Sequence, residues 1–242
     1  MRYKVTISYD GSRFMGSQIQ LNDRTVQGEL IRVFSKYFDE EIAINLSGRT
    51  DRGVHALNQV FHFDTAKEFD ISKTIYSLNK MLENDILIKS MEPVSDDFHA
   101  RYSVKEKTYL YRIIFTSKDP FNREHFYVCP YPTNIELFKE VLNLFIGKHN
   151  FMNFTSKEED EDGFIREIYS INFEENDNNF DIRITGNGFM RYMIRFLVGT
   201  ALAAAQNKEN IENVKLLLSA KERNIVSYKA PAEGLYLENV KY

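Results

Sequence analysis

The chain has 242 residues, 43% of them hydrophobic, which is ample for a sizeable core in one domain or two. Its single cysteine, Cys129, excludes an intramolecular disulfide and fits a reducing compartment, while a net charge of -4 argues mildly against a nucleic-acid partner, since phosphate contacts come from Lys and Arg. The longest apolar run, residues 196–205, is short of the roughly 20 residues that span a bilayer. The start, Met1-Arg2-Tyr3-Lys4, has no apolar leader, so a soluble, cytoplasmic protein with no membrane contact is expected.

Residues 1–10 alternate, with Tyr3, Val5, Ile7 and Tyr9 on one face, and predict a strand. Residues 25–38 carry Val26, Leu30, Val33, Phe34, Tyr37 and Phe38 at helical spacing, with Thr25 as N-cap. A short strand-like run, 42–46, leads into a charged octet, and alternation over 57–65 predicts the next strand. A helix at 71–82 and strands at 85–90 and 104–116 follow. Then come a helix at 134–145, strands at 167–175 and 179–185, helices at 189–206 and 211–220, and a last strand at 235–242. Strands paired by short turns beside helices predict an α+β protein. The division expected is a lobe of residues 1–103 and a lobe of residues 104–242. No carboxylate occurs from residue 182 to 208, whereas Arg183, Arg191, Arg195 and Lys208 do, so a basic surface can exist on an acidic chain. The acidic tract 157–163 reads as a solvated loop away from any phosphate path. Cys129, in an apolar setting, reads as a structural thiol.

The octet is Gly48-Arg49-Thr50-Asp51-Arg52-Gly53-Val54-His55. It sets one carboxylate between two arginines, which favour its ionised form, in a loop whose glycines allow positive φ or close approach. Residue types alone also suit a plain surface turn. The order of the residues resembles the active-site loop of the tRNA pseudouridine synthase A family, Gly-Arg-Thr-Asp-x-Gly-Val-His. Five further elements resemble that family in the same order. They are Tyr9-Asp10-Gly11 with Phe14, Gly16, Gln18, Gln20 and Thr25-Val26-Gln27; Phe98-His99-Ala100-Arg101; Lys107-Thr108-Tyr109; Gly188-Phe189-Met190 with Met193-Ile194-Arg195 and Val198-Gly199; and Ala230-Pro231-Ala232 with Gly234-Leu235.

The resemblance implies two α/β lobes sharing a mixed, mostly antiparallel sheet flanked by helices, with a central RNA-binding cleft. It implies isomerisation of uridine to pseudouridine in the anticodon stem-loop of tRNA, at nucleotide positions 38–40, by a homodimer that uses no cofactor and no metal. Asp51 is then the catalytic residue. Arg49 helps extrude the target nucleotide, which cannot react inside a stack. Tyr109 meets the flipped base, and Arg195 pairs with Asp51. On residue spacing alone, core packing is the better reading of Tyr109. Arg195 stands in an apolar helix, where an arginine must snorkel outward or find an acid. Arg191, four residues earlier, is expected on the same helix face. His55, His62 and His99 match no zinc spacing, and His55 and His99, which have counterparts in the family, read as structural hydrogen-bonders. Two rival readings are a non-catalytic RNA-binding or RNA-chaperone protein on the same fold, and a hydrolase using a carboxylate pair with Asp10 beside Asp51. Ser17 departs from the tryptophan usual in the family after Gly16.

Overall fold

Alternating and helical patterns become elements close to those expected. The computed structural model describes residues 1–116, 118–159, 163–177 and 179–242. In chain order its elements are β1 (Arg2–Tyr9), α1 (Val26–Phe38), β2 (Asn45–Leu46), β3 (His55–Asp64), α2 (Ile71–Met81), β4 (Ile86–Val94), β5 (Glu106–Ile114), β6 (Tyr127–Val128), α3 (Ile135–Asn143), β7 (Gly147–Asn150), β8 (Ile165–Glu175), β9 (Phe180–Gly186), α4 (Met193–Ala205), α5 (Ile211–Ser219) and β10 (Leu235–Lys241). Single 3-10 turns occur at Gly11–Arg13 and Met152–Phe154. The class is α+β, with mixed and mostly antiparallel strand pairing. No described helix is long and apolar enough to cross a membrane.

Two compact units divide the chain. The first is Met1–Lys105 with Tyr236–Tyr242, and the second is Glu106–Leu235. The last strand therefore belongs to the first unit, not to the lobe of residues 104–242. The cause is a parallel pairing, Tyr236 with His55 and Leu237 with Ala56, between residues about three quarters of the chain apart. Such long-range pairing leaves no trace in local sequence.

In the first unit the strand order is β4-β1-β3-β10, with β2 on β3. β1 alternates half-buried and buried residues along its length. Its Tyr3, Val5, Ile7 and Tyr9 are buried, as are Val26, Leu30, Val33, Phe34 and Phe38 on the apolar face of α1. Phe34 sits edge-on to Phe61 at 5.4 Å and to Phe63 at 5.1 Å. Each such aromatic pair adds roughly 0.5–1.5 kcal/mol beyond area burial. β4 runs past the expected end at residue 90, through Pro93 to Val94. It lies at the edge of this order, where proline costs no ladder bond.

In the second unit the order is β5-β9-β8-β7, with β6 parallel to β5. β6 and β7 are too short, at two and four residues, to show any alternation in sequence. α3 packs on α4, of which every residue is buried except Arg195. Four helices begin on a capping side chain: Thr25, Asp70, Asn134 and Asn210 each accept from a backbone N–H of the first turn, a contact of roughly 1 kcal/mol. α4 begins otherwise. Its N-cap is Tyr192, which makes no such bond and has φ 61°.

That start corrects the expected helix at 189–206. Arg191 precedes α4 and shares no helix face with Arg195. The apolar Phe189 and Met190 extend the helical pattern in sequence, but the backbone there is pinned elsewhere. Asn187 donates its N–H to the Glu167 carbonyl and accepts the Glu167 N–H on its side chain. The Arg191 carbonyl accepts from the Thr155 hydroxyl at 3.0 Å. Of the acidic tract, Glu158 and Glu159 are exposed, and Asp160, Glu161 and Asp162 lie outside the described residues.

Candidate active site

The octet forms the loop between β2 and β3 in the first unit, and its backbone is clamped residue by residue. Ser47 donates to the Gln59 side chain at 2.6 Å, and Gln59 in turn donates to the Gly48 carbonyl at 3.1 Å. The Thr50 N–H donates to the Ser17 hydroxyl at 2.7 Å, and the Thr50 carbonyl accepts the Ser17 N–H at 3.0 Å. The Thr50 hydroxyl shares a hydrogen bond of 2.8 Å with the Tyr9 phenol. Burial pushes the Tyr9 phenol up to about 12, so it is neutral at physiological pH. After the acid, the Val54 N–H closes a turn on the Asp51 carbonyl at 3.1 Å, with Gly53 at φ 79°.

Ser17 is fully buried. Its neighbour Gly16 has φ 100°, and a Cβ there would stand 3.1 Å from the Thr50 carbonyl oxygen. Residues 16 and 17 thus lie flat against the residues that flank Asp51. Asp51 itself is half-buried, while Arg49 and Arg52 are exposed. The loop fixes the backbone on both sides of a carboxylate that keeps access to solvent, as a reacting group requires.

The histidines hold structure. His55 Nδ1 accepts the Gly11 N–H at 3.0 Å, and its ring stacks on Tyr236 at 4.5 Å. His62 Nδ1 accepts the Ala100 N–H at 3.1 Å, and His99 Nδ1 accepts the Arg101 N–H at 3.1 Å. Burial, with lesser contributions from Arg2 and His99, lowers the His62 pKa to about 4. Asp10 accepts from the Ser12 N–H at 3.0 Å and from its hydroxyl at 2.7 Å, and lies 3.2 Å from His55 Nδ1.

In the second unit Tyr109 lies on β5, paired with Ile184 of β9, buried and edge-on to Phe189 at 5.3 Å. Arg195 and Ala230 exchange bonds: the Arg195 Nε donates to the Ala230 carbonyl at 2.7 Å, and the Ala230 N–H donates to the Arg195 carbonyl at 2.8 Å. Gly199 makes this possible, since a Cβ there would meet the Tyr228 carbonyl oxygen and the Ala230 nitrogen, each at 2.7 Å. The Tyr111 phenol donates to the Pro231 carbonyl at 2.9 Å. Burial pushes its pKa well up, with the Glu233 charge adding to the effect and Arg195 opposing it. Cys129 is buried, with its sulfur 3.4 Å from Gln206 Nε2, and is structural.

Sequence reasoning marks Ser17 as a departure from the family's usual tryptophan but not the reach of its hydroxyl to the Thr50 N–H, and it overlooks Tyr192. Tyr192 was hidden inside an apparent helix.

The sequence profile of tRNA pseudouridine synthase matches residues 5–103 and 141–242. The chain belongs to the tRNA pseudouridine synthase family. It is 40% identical over 243 residues to tRNA pseudouridine synthase A 1 of Bacillus cereus (strain ATCC 14579), covering 100% of this chain and 98% of that one. It is 41% identical to tRNA pseudouridine synthase A of Geobacillus sp. (strain WCH70), with the same coverage. It is 39% identical to the enzyme of that name from Staphylococcus saprophyticus, covering 99% of this chain and 90% of that one. A Cbf5-Nop10-Gar1 complex aligns at 11% identity and a TM-score of 0.36, covering 83% of this chain and 44% of that chain, a likeness too slight to build on.

Proposed function

We propose that this protein isomerises uridine to pseudouridine in the anticodon stem-loop of tRNA, with Asp51 as its catalytic residue. The observation that carries the reading is the loop 47–54. It presents one half-buried carboxylate on a backbone fixed at Ser47, Gly48, Thr50 and Val54, in a chain of the tRNA pseudouridine synthase family. A protein that only bound RNA has no need of so closely held an acid, and Asp10 already accepts from the Ser12 N–H and hydroxyl.

The chemistry breaks the bond from the sugar to uracil N1, turns the base, and joins the sugar to C5, with the C5 proton lost and N1 protonated. Nothing is oxidised or reduced and no group is donated, so the rearrangement calls for no cofactor. A carboxylate serves it as nucleophile or as proton acceptor; attack on the sugar, attack on the base and proton abstraction all remain open routes. Arg49, exposed two residues from Asp51, is the cation proposed to take the place of the extruded nucleotide. Tyr109 is proposed to contact the flipped base, and Arg195 to work with Asp51 in the same reaction. The working form is proposed to be a cytoplasmic homodimer.

The test is tritium release from unmodified tRNA carrying uridine labelled at C5. Stoichiometric release, with pseudouridine mapped to the anticodon arm, is expected. Release from other parts of the tRNA would overturn the substrate assignment, and no release would overturn the activity.

A further inference from the structure

Three cations converge on one tyrosine ring in the second unit. Tyr192 has φ 61° and ψ 0°, left-handed backbone that a bulky residue seldom adopts and that Asn or Gly occupies more cheaply. Its ring lies 4.4 Å from Lys229 Nζ, 4.8 Å from the Arg191 guanidinium and 5.4 Å from that of Arg195. Arg191 also donates to the Tyr192 hydroxyl at 3.1 Å. Among the described residues Arg191 and Lys229 have no carboxylate partner. Both are exposed, and residues 182–208 contain no acid.

The pattern recurs a short way along. Lys208 Nζ stands 4.0 Å from the ring of the exposed Tyr131, and the Tyr228 hydroxyl donates to the Lys208 carbonyl at 2.8 Å. A pocket of about 150 Å³ lined by Tyr131, Lys208, Tyr228 and Lys229 joins the two clusters. That is below the roughly 300 Å³ of a small-molecule site and suits a phosphodiester group.

We propose that this strip, from Tyr192, Arg191 and Lys229 to Lys208 and Tyr131, is a contact surface for unpaired RNA. Phosphates sit on the cations, and an unstacked base lies on an aromatic ring. An anion is what the uncompensated cations call for, and the rings select RNA over an acidic peptide, because every base offers a face to stack. The strained tyrosine fits this use, since strain persists where the side chain serves a ligand rather than the fold. The inference rests on the RNA-modifying reading above and deepens it by naming where the strand runs.

The experiment measures binding of the purified full chain to unmodified tRNA across a salt series, with thermal midpoints recorded beside it. Lys229→Gln and Lys208→Gln should each weaken binding about three- to tenfold and lower the salt slope by about one. Tyr192→Asn should weaken binding several-fold while its thermal midpoint stays level or rises, because asparagine fits left-handed backbone better. If the parent makes pseudouridine and all three variants keep its affinity and slope, the surface is wrong and the enzyme reading stands. If the parent neither binds tRNA nor modifies it, both fail together. A Tyr192→Asn variant that melts early would make the ring a packing element and overturn its assignment.

Discussion

The loop that carries Asp51 and the segment that leads into Arg195 are held by opposite means. Around Asp51 the backbone groups of Thr50 and Gly48 and the Thr50 hydroxyl are met by buried, neutral partners: Ser17, Gln59 and Tyr9. At the entrance to α4 there is no capping side chain, the N-cap residue is left-handed, and its surroundings are cationic. The first region places a charge between polar groups that have found partners. The second accepts a local cost, and among the described residues its exposed Arg191 and Lys229 have no carboxylate partner. Satisfied polar networks fix geometry, and uncompensated charge attracts a partner. The two regions therefore suit different tasks, positioning the chemistry and gathering the substrate.

The largest expected effect is that of Asp51→Asn. It keeps size and most hydrogen bonding but removes the charge. Tritium release should fall to background, with tRNA affinity within about threefold of the parent because binding rests on many cations. Persistent pseudouridine would break the comparison at its root, and loss of binding along with activity would make Asp51 a loop organiser. Next is Arg195→Ala, which removes the donor to the Ala230 carbonyl. Turnover should drop by at least about a hundredfold, and stability by roughly 1.5–3 kcal/mol for a charged hydrogen bond. Parent-like turnover in this variant would separate Arg195 from the chemistry.

Ser17→Ala sharpens the comparison. It strips the acceptor from the buried Thr50 N–H, a loss of roughly 1–3 kcal/mol. Chemical denaturation should register that loss, and single-turnover rates should fall more than tRNA affinity. Equal effects on rate and affinity would mean that the hydroxyl serves only the fold.

The smallest effect concerns pH. His62 has a pKa of about 4 in the fold against 6.5 for the free group. Between those values the unfolded chain binds a proton that the folded chain does not, so stability falls as pH drops from 6.5 toward 4 and is flat above. The thermal midpoint should follow that course in the parent and show a shallower slope in His62→Gln. An unchanged slope would assign the acid sensitivity to other groups.

Much of this was legible in sequence, for physical reasons. β1 and α1 declare themselves because one face of each is buried, and burial imposes periods of two and of 3.6. Thr25 was readable as a cap because only a few side chains can do that work. The octet was readable by its order of residues. The start of α4 was misjudged because apolar residues continue through 189–190 while the backbone there is pinned to Glu167 and, through Arg191, to Thr155. The reach of Ser17 to Thr50 spans 33 residues, and no local pattern encodes it. Tyr109 is a residue on which sequence and geometry still admit two uses, since a buried ring against Phe189 packs a core and can also border a site.

The return of β10 to β3 carries a consequence for synthesis. Residues 106–235 are an insertion within the first unit, whose open ends are tied where the Lys105 N–H meets the Lys241 carbonyl at 2.9 Å. On the ribosome, domains usually fold from the N-terminus onward. Here the inserted unit has all its residues while the enclosing one still lacks a strand. The loop bearing Asp51 is made early, but β3 beside it gains its parallel neighbour only when Tyr236 and Leu237 emerge. Nascent chains halted before that point carry every proposed catalytic side chain and no finished first unit.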